Sequence, residues 1–264
     1  DFVQQDRDSY EFHPVNSRSY HGKSLWEVIG DQGRNVAVLN VPMTHPAYPV
    51  KGALVSDFLL ATTKGERSHP PELLGELEKK FGPYPTETVP PYFTGRDSEE
   101  DICRFLQEYQ KAMQYKLRVA QHFLEKDKPD FLMLHLFGND QICHWLWHLM
   151  DDKHPKYREE ESKRHLERIH EYYRAFDVGV GNLMDRTDEE VSLFIVSDHG
   201  FGPVHRSIDF NTWLYNEGYL VLKRCPSSRL RRLAWRMGLT PQALMDRDWF
   251  LRFAMNTFVR LKKR

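Results

Sequence analysis

Residues 191–202 read Val191-Ser192-Leu193-Phe194-Ile195-Val196-Ser197-Asp198-His199-Gly200-Phe201-Gly202, and the fold is decided by where this run stops being apolar. Five of its first six residues are apolar, the pattern of a strand buried on both faces inside a parallel sheet. Ser197, Asp198 and His199 then fall where the strand should end, and Gly200 turns the chain. In open α/β sheets ligands bind at that carboxyl edge. Asp198 and His199 offer one hard oxygen and one imidazole nitrogen, a pair better suited to zinc or manganese than to calcium. The competing reading makes Asp198 a cap and His199 an ordinary loop residue.

A second stretch tips that balance. Asp130 to Phe137 is another apolar run of strand length, followed by Gly138, Asn139 and Asp140. A helix starting near Asn139 sets Asp140 and His144 one turn apart on one face, a spacing that can chelate an ion. Two strand-edge sites, each with one carboxylate and one imidazole, are what a two-metal phosphoryl-transfer centre requires.

The rest of the chain supplies the scaffold for such a sheet. Ser24 and Glu27 have capping-box spacing, predicting a helix of about ten residues that closes at Gly33. Val36 to Val41 reads as a short buried strand ended by Pro42, and Gly52 to Leu60 as another. The loop between them puts His45 near a sheet edge, where a histidine usually faces solvent. Prolines at 70, 71, 83, 85, 90 and 91 exclude a long regular element from 62–96 and predict an excursion over the sheet.

From Ser98 onward Ile102, Phe105, Leu106, Tyr109, Met113, Leu117, Ala120 and Leu124 recur at helical steps, closing before Pro129. The segment from Tyr157 to Met184 has the same period. Strand 130–137, this helical crossover and strand 191–196 make a right-handed βαβ unit, which brings both Asp/His pairs to one side of the sheet. His205 and Arg206 follow the second pair closely enough to touch a phosphate oxygen, the arginine in bidentate fashion. A solvent-exposed loop pair is the alternative. Asn211 to Leu220 reads as a short helix closed by Gly218.

The 264 residues carry a formal net charge of -1, which argues against a globally basic nucleic-acid binder. Positive charge is concentrated instead in residues 223–264, which hold twelve Lys or Arg against Asp246 and Asp248. Two basic amphipathic helices are expected there, either packing against other sequence or lying on an acidic membrane surface. Three cysteines, Cys103, Cys143 and Cys225, at unrelated spacings fit a reducing, cytoplasmic compartment. No run reaches the roughly 18 apolar residues of a membrane span.

Taken together, the Ser197-Asp198-His199-Gly200 strand end, the Asp140-x-x-x-His144 turn with Trp147 and His154-Pro155 after it, and Asn40-Val41-Pro42 upstream resemble the type I phosphodiesterase/nucleotide pyrophosphatase branch of the alkaline phosphatase superfamily. The resemblance implies an α/β fold, a three-layer α/β/α sandwich with a mostly parallel central sheet. Residues 1–222 would be part of that catalytic domain, with 223–264 a helical appendage of it. It further implies two divalent metal ions, zinc or manganese, one on Asp140 and His144 and one on Asp198 and His199. A Thr or Ser nucleophile forms a covalent phospho-enzyme in that family. Its position and that of a further aspartate lie upstream of the part matching Asp1, and a last histidine ligand lies beyond Arg264. The expectation is therefore a metal-dependent hydrolase of small phosphate esters whose nucleophile is outside these residues, so that this chain is inert by itself. Phosphomonoesterases, sulfatases and phosphoglycerate mutases share the metal geometry. Outside that superfamily stand a metal-braced binding module and a mononuclear site of two histidines and one carboxylate.

Overall fold

The computed structural model describes residues 3–5, 8, 12–57, 65–85, 98–188, 190–206, 208–221 and 233. Almost all of the expected basic helices at 223–264 lie outside the described residues, as do 58–60 of the second predicted strand and 86–97 of the proline-rich excursion. A short antiparallel ribbon, β1 (Val3–Gln5) with β2 (Phe12–Pro14), precedes the main body. Helix α1 (Leu25–Asp31) begins where its capping box predicts, with the Ser24 amide donating to the Glu27 carboxylate at 2.8 Å. It ends just before Gly33, whose φ of +81° an L side chain would resist.

Strands β3 (Val36–Leu39), β4 (Gly52–Val55), β5 (Ser68–His69) and β6 (Phe131–Leu134) form one sheet in the order β5-β4-β3-β6. β3 runs parallel to both β4 and β6, and only β5 is antiparallel. Because side chains alternate along a strand, β3 serves two layers at once. Val36 and Val38 join Leu54 and Trp26 of α1 on one face. Ala37 and Leu39 join Ala53 and Val55 on the other, under α2 (Leu73–Phe81) and α3 (Glu99–Lys126). Helix, sheet and helix are thus stacked as the sequence predicts. Gly52 is dictated by the parallel pairing with β3: its φ is +136°, and a Cβ there would lie 2.2 Å from the Val36 carbonyl oxygen.

As expected, the described part of the proline-rich region holds only short regular elements, the two-residue β5 and the nine-residue α2. Pro71 and Pro83 bound α2 on either side, so the prolines limit its length without preventing it.

Two long helices complete the body, α3 and α5 (Glu159–Met184), with α4 (Gly138–Met150) between them in sequence and packed on both. Arg168 pairs with Glu99 at 3.2 Å and Arg186 with Glu125 at 2.7 Å, so α3 and α5 lie side by side and point the same way. Since α3 carries the chain back to the amino end of β6, α5 also returns it toward that end of the sheet. The helical return of the expected crossover is therefore present.

The strand predicted at 191–196 does not form. Those residues have no regular secondary structure, and Phe194, Ile195 and Val196 are 80%, 70% and 80% exposed. The reason is physical: a strand apolar on both faces is stable only with neighbours beside it and layers over it, and β6, the outermost strand of the sheet, is not paired with it. α6 (Phe210–Asn216) follows, capped by Asp209, whose carboxylate accepts from the Thr212 amide at 3.0 Å, and Gly218 closes the turn beyond it at φ +80°.

Leu146 is fully buried where α4 meets α3 and α5. Replacing it with Ala should lower unfolding free energy by about 2–5 kcal/mol. Urea denaturation should show this as a reduced midpoint at unchanged slope.

Candidate metal centre

Each parallel strand ends in a polar residue. β3 passes into Asn40, β4 into Ser56 and Asp57, and β6 into His135. The ladder continues to that point, with the His135 amide donating to the Leu39 carbonyl at 2.9 Å and the Asn40 amide to that of Val55 at 2.8 Å. Asn40, with φ of +59°, is fixed by two further hydrogen bonds: the Tyr84 hydroxyl donates to its side-chain oxygen at 2.6 Å, and its side-chain nitrogen donates to the Ser56 carbonyl at 3.3 Å. Tyr84 thereby ties the proline-rich excursion to the carboxyl edge. His45, expected to face solvent, is buried instead, its Nδ1 lying 3.3 Å from Ser56 Oγ. The loop after β3 folds over the sheet edge and so takes the ring inside.

α4 starts three residues past His135. Its first residue is a glycine for steric reasons, because a Cβ on Gly138 would come within 2.4 Å of the Tyr172 hydroxyl. Ile142, Leu146 and Leu149 are fully buried against α3 and α5. Asp140, His144 and Trp147 precede each of them by two positions, about 200° round the helix at 3.6 residues per turn. Packing of the apolar stripe therefore turns the Asp140/His144 face away from the core.

Onto that face comes the second pair. Asp140 Oδ1 lies 3.3 Å from His144 Nε2 and 3.7 Å from His199 Nε2, and His199 Nε2 lies 3.8 Å from Asp198 Oδ2. Ser197 Oγ donates to the His199 carbonyl at 2.6 Å, holding the turn. His199 Nδ1 lies 3.1 Å from the Gly200 carbonyl oxygen. A carbonyl only accepts, so Nδ1 carries a proton, and in the neutral ring the lone pair of Nε2 faces the Asp140 carboxylate. Two acceptors facing one another are an arrangement that a cation between them relieves.

The distances suit one as well. Two donors on a tetrahedral ion, with arms of 2.0–2.2 Å, stand about 3.4 Å apart. Asp140 is close to that separation from both imidazoles, whose ring centroids are 6.4 Å from each other. The donor set thus fits a divalent cation chemically, with Asp140 shared between two half-sites. It is not drawn closed: no group of three or more His, Cys, Asp or Glu side chains among the described residues surrounds a single ion position. Asn139 Oδ1, buried in the first turn of α4, has no hydrogen-bond partner.

The other two predicted site residues follow His199 along the same irregular stretch. His205 and Arg206 are exposed. Burial and then the charge of Lys156 hold the His154 imidazole below its usual range, with His205 adding a weaker push in the same direction and Asp151 opposing it.

His135, Lys116 and Phe201 were not singled out from the sequence. The signal for His135 was available, since it follows an apolar strand as Asp198 was expected to do. Lys116 is a charged residue on the buried stripe of α3. Burial, assisted by the Lys116 ammonium, pushes the His135 pKa down to about 4, although a hydrogen bond to the Asn40 backbone and the Asp198 and Asp140 carboxylates act in the opposite direction. Between its ordinary value of 6.5 and about 4, the unfolded chain takes up a proton that folded His135 refuses. This residue should therefore make stability fall as pH is lowered through that window. An NMR titration of the ring should give a midpoint near 4, and a midpoint above 6 would contradict the environment described.

Cys143, in the Asp140–His144 turn, is a free thiol half-buried 3.4 Å from the Tyr173 hydroxyl. Burial, and behind it the Asp140 charge, raise its pKa against the opposing hydrogen bond. A protonated thiol is a poor ligand, so the turn offers Asp140 and His144 rather than sulfur.

No curated protein and no solved structure matches this sequence. The profile of one family does: type I phosphodiesterase / nucleotide pyrophosphatase matches residues 1–251, nearly the whole chain. That match and the α/β architecture, with a small, mostly parallel sheet between helices, agree. The chain belongs to the type I phosphodiesterase / nucleotide pyrophosphatase family.

Proposed function

We propose that Asp140, His144, Asp198 and His199 are the metal ligands of a two-cation centre that hydrolyses small-molecule phosphate esters, phosphodiesters and pyrophosphates foremost. Membership of a hydrolase family supports the reaction class. The observation that carries the site is Asp140 Oδ1 within 3.3 Å of one imidazole nitrogen and 3.7 Å of another, drawn from distant parts of the chain. Two divalent ions, zinc or manganese, would supply charge neutralisation at the attacking and leaving oxygens.

The side chains have separable parts in this reading. Asp140, on the buried helix, fixes the position of the centre. The Asp198 carboxylate and the Nε2 lone pair of His199 complete it from the loop. His205 and Arg206 are assigned to the phosphate oxygens, with the guanidinium bidentate. His135, neutral above pH of about 4, neither adds positive charge beside the ligands nor competes for protons with them. The nucleophile, a Thr or Ser in relatives of this kind, is not among the residues gathered here, and the chain tested by itself is taken to be inert. Phosphomonoesterase, sulfatase and mutase readings share these ligands and are separated from ours by a substrate panel. A reducing compartment remains the assignment for a chain whose described cysteines, Cys103 and Cys143, are both free. Among the described residues no helix is long and apolar enough to cross a membrane.

Calorimetric titration of the 264-residue chain with zinc or manganese should show two binding steps. Asp140→Ala should weaken both, and His199→Ala one, by more than the about 10–100-fold that loss of an outer-shell partner costs. One step, or retention of both in Asp140→Ala, would refute the two-cation site. A chromogenic phosphodiester with excess metal should turn over no faster than the metal-only blank, and faster turnover would place the nucleophile within this chain.

A further inference from the structure

We infer that Phe201 is a positioning residue that holds the two imidazoles of the centre in register, an inference that rests on the metal-site reading above. Its ring stands edge-on to both histidines, with centroids 5.0 Å from His144 at 85° and 5.0 Å from His199 at 66°. Its remaining side is stacked on Trp147, at 6.0 Å and 26°. Edge-to-face contacts at such distances are directional, since the positive edge of one ring meets the negative face of the other. One phenyl ring therefore bears on the tilt of both imidazoles, and more closely than they bear on each other, their own centroids being 6.4 Å apart.

The need for such a residue follows from how the halves are held. His144 and Trp147 ride on α4, which is locked by its buried stripe. His199 sits on a stretch whose preceding apolar residues are exposed, so no strand pairing sets its position. Phe201, two residues beyond His199, reaches back to α4 and transfers the rigidity of the helix to the loop. Trp147 is itself braced, its indole nitrogen donating to Asp151 at 3.1 Å. Helix, indole, phenyl and imidazole thus form a continuous contact chain ending at a ligand. Orienting groups of this kind govern metal affinity without touching the ion.

Phe201→Leu keeps apolar volume and removes the ring, whereas Phe201→Tyr keeps the ring. In the 264-residue chain, Phe201→Leu should weaken zinc binding about tenfold or more, leave the thermal midpoint of the metal-free protein where it is, and move the ring resonances of His144 and His199 together. Phe201→Tyr should bind zinc as the unaltered chain does. Zinc binding by Phe201→Leu within twofold of the unaltered chain, a lowered thermal midpoint, or failure of Phe201→Tyr to retain affinity would each overturn the inference. If the unaltered chain takes up no zinc, it is the metal reading that fails. Phe201 is then judged by the two resonances alone, and displacement of only one or neither sinks it.

Discussion

The pairing of α3 with α5 in the same direction is the constraint on which the rest depends. A parallel sheet is built only if each connection carries the chain back before the next strand begins; α3 is the return that feeds β6, and α5 is packed along it. The ion pairs at their ends, Glu99 with Arg168 and Glu125 with Arg186, are exposed and contribute little to stability. What fixes the pairing is the apolar seam between them, where Ile102, Phe105, Tyr109, Met113 and Leu117 meet Ile169 and Tyr172. α4 is wedged onto that seam by Ile142, Leu146 and Leu149. The position of Asp140 is therefore decided by hydrophobic packing on the opposite face of its own helix.

Periodic features were legible in the sequence, because periodicity records burial directly. The α3 stripe falls where its spacing predicts, as do the Ser24–Glu27 cap and the start of α4 next to Asn139. The Asp140/His144 pair followed from the same logic, since residues four apart share a face wherever a helix forms. The run at 191–196 misled for an equally definite reason. Its composition reports that the chain is suited to burial, but burial needs partners on both sides, and composition does not say whether they are at hand. His45 departs in the opposite sense: frequency assigns a loop histidine to solvent, while the loop folds over the end of β4 and presents the ring to Ser56.

The polar layer at the carboxyl edge was harder to read because it depends on register between strands. Asn40, Ser56 and His135 are neighbours only because β3, β4 and β6 end level, as the Leu39↔Val55 and Leu39↔Leu134 pairings show. A sequence lists those residues far apart and gives no reason to group them. The layer also explains the positive φ of Asn40. Its side chain turns in between Tyr84 and Ser56, and two hydrogen bonds offset the unfavourable backbone.

The candidate centre is built unequally, and the inequality follows from the same packing. Asp140 and His144 belong to an element whose other face is buried, so their geometry is set before any ligand arrives. Asp198 and His199 belong to a segment with little buried surface, held by a Ser197 hydrogen bond, a backbone carbonyl and one phenyl ring. Two carboxylates meeting at a shared imidazole repel each other unless positive charge lies between them. That repulsion acts mainly on the less constrained half. A cation would therefore draw the loop to the helix rather than the helix to the loop, and the contact chain from Trp147 through Phe201 determines the direction from which it comes.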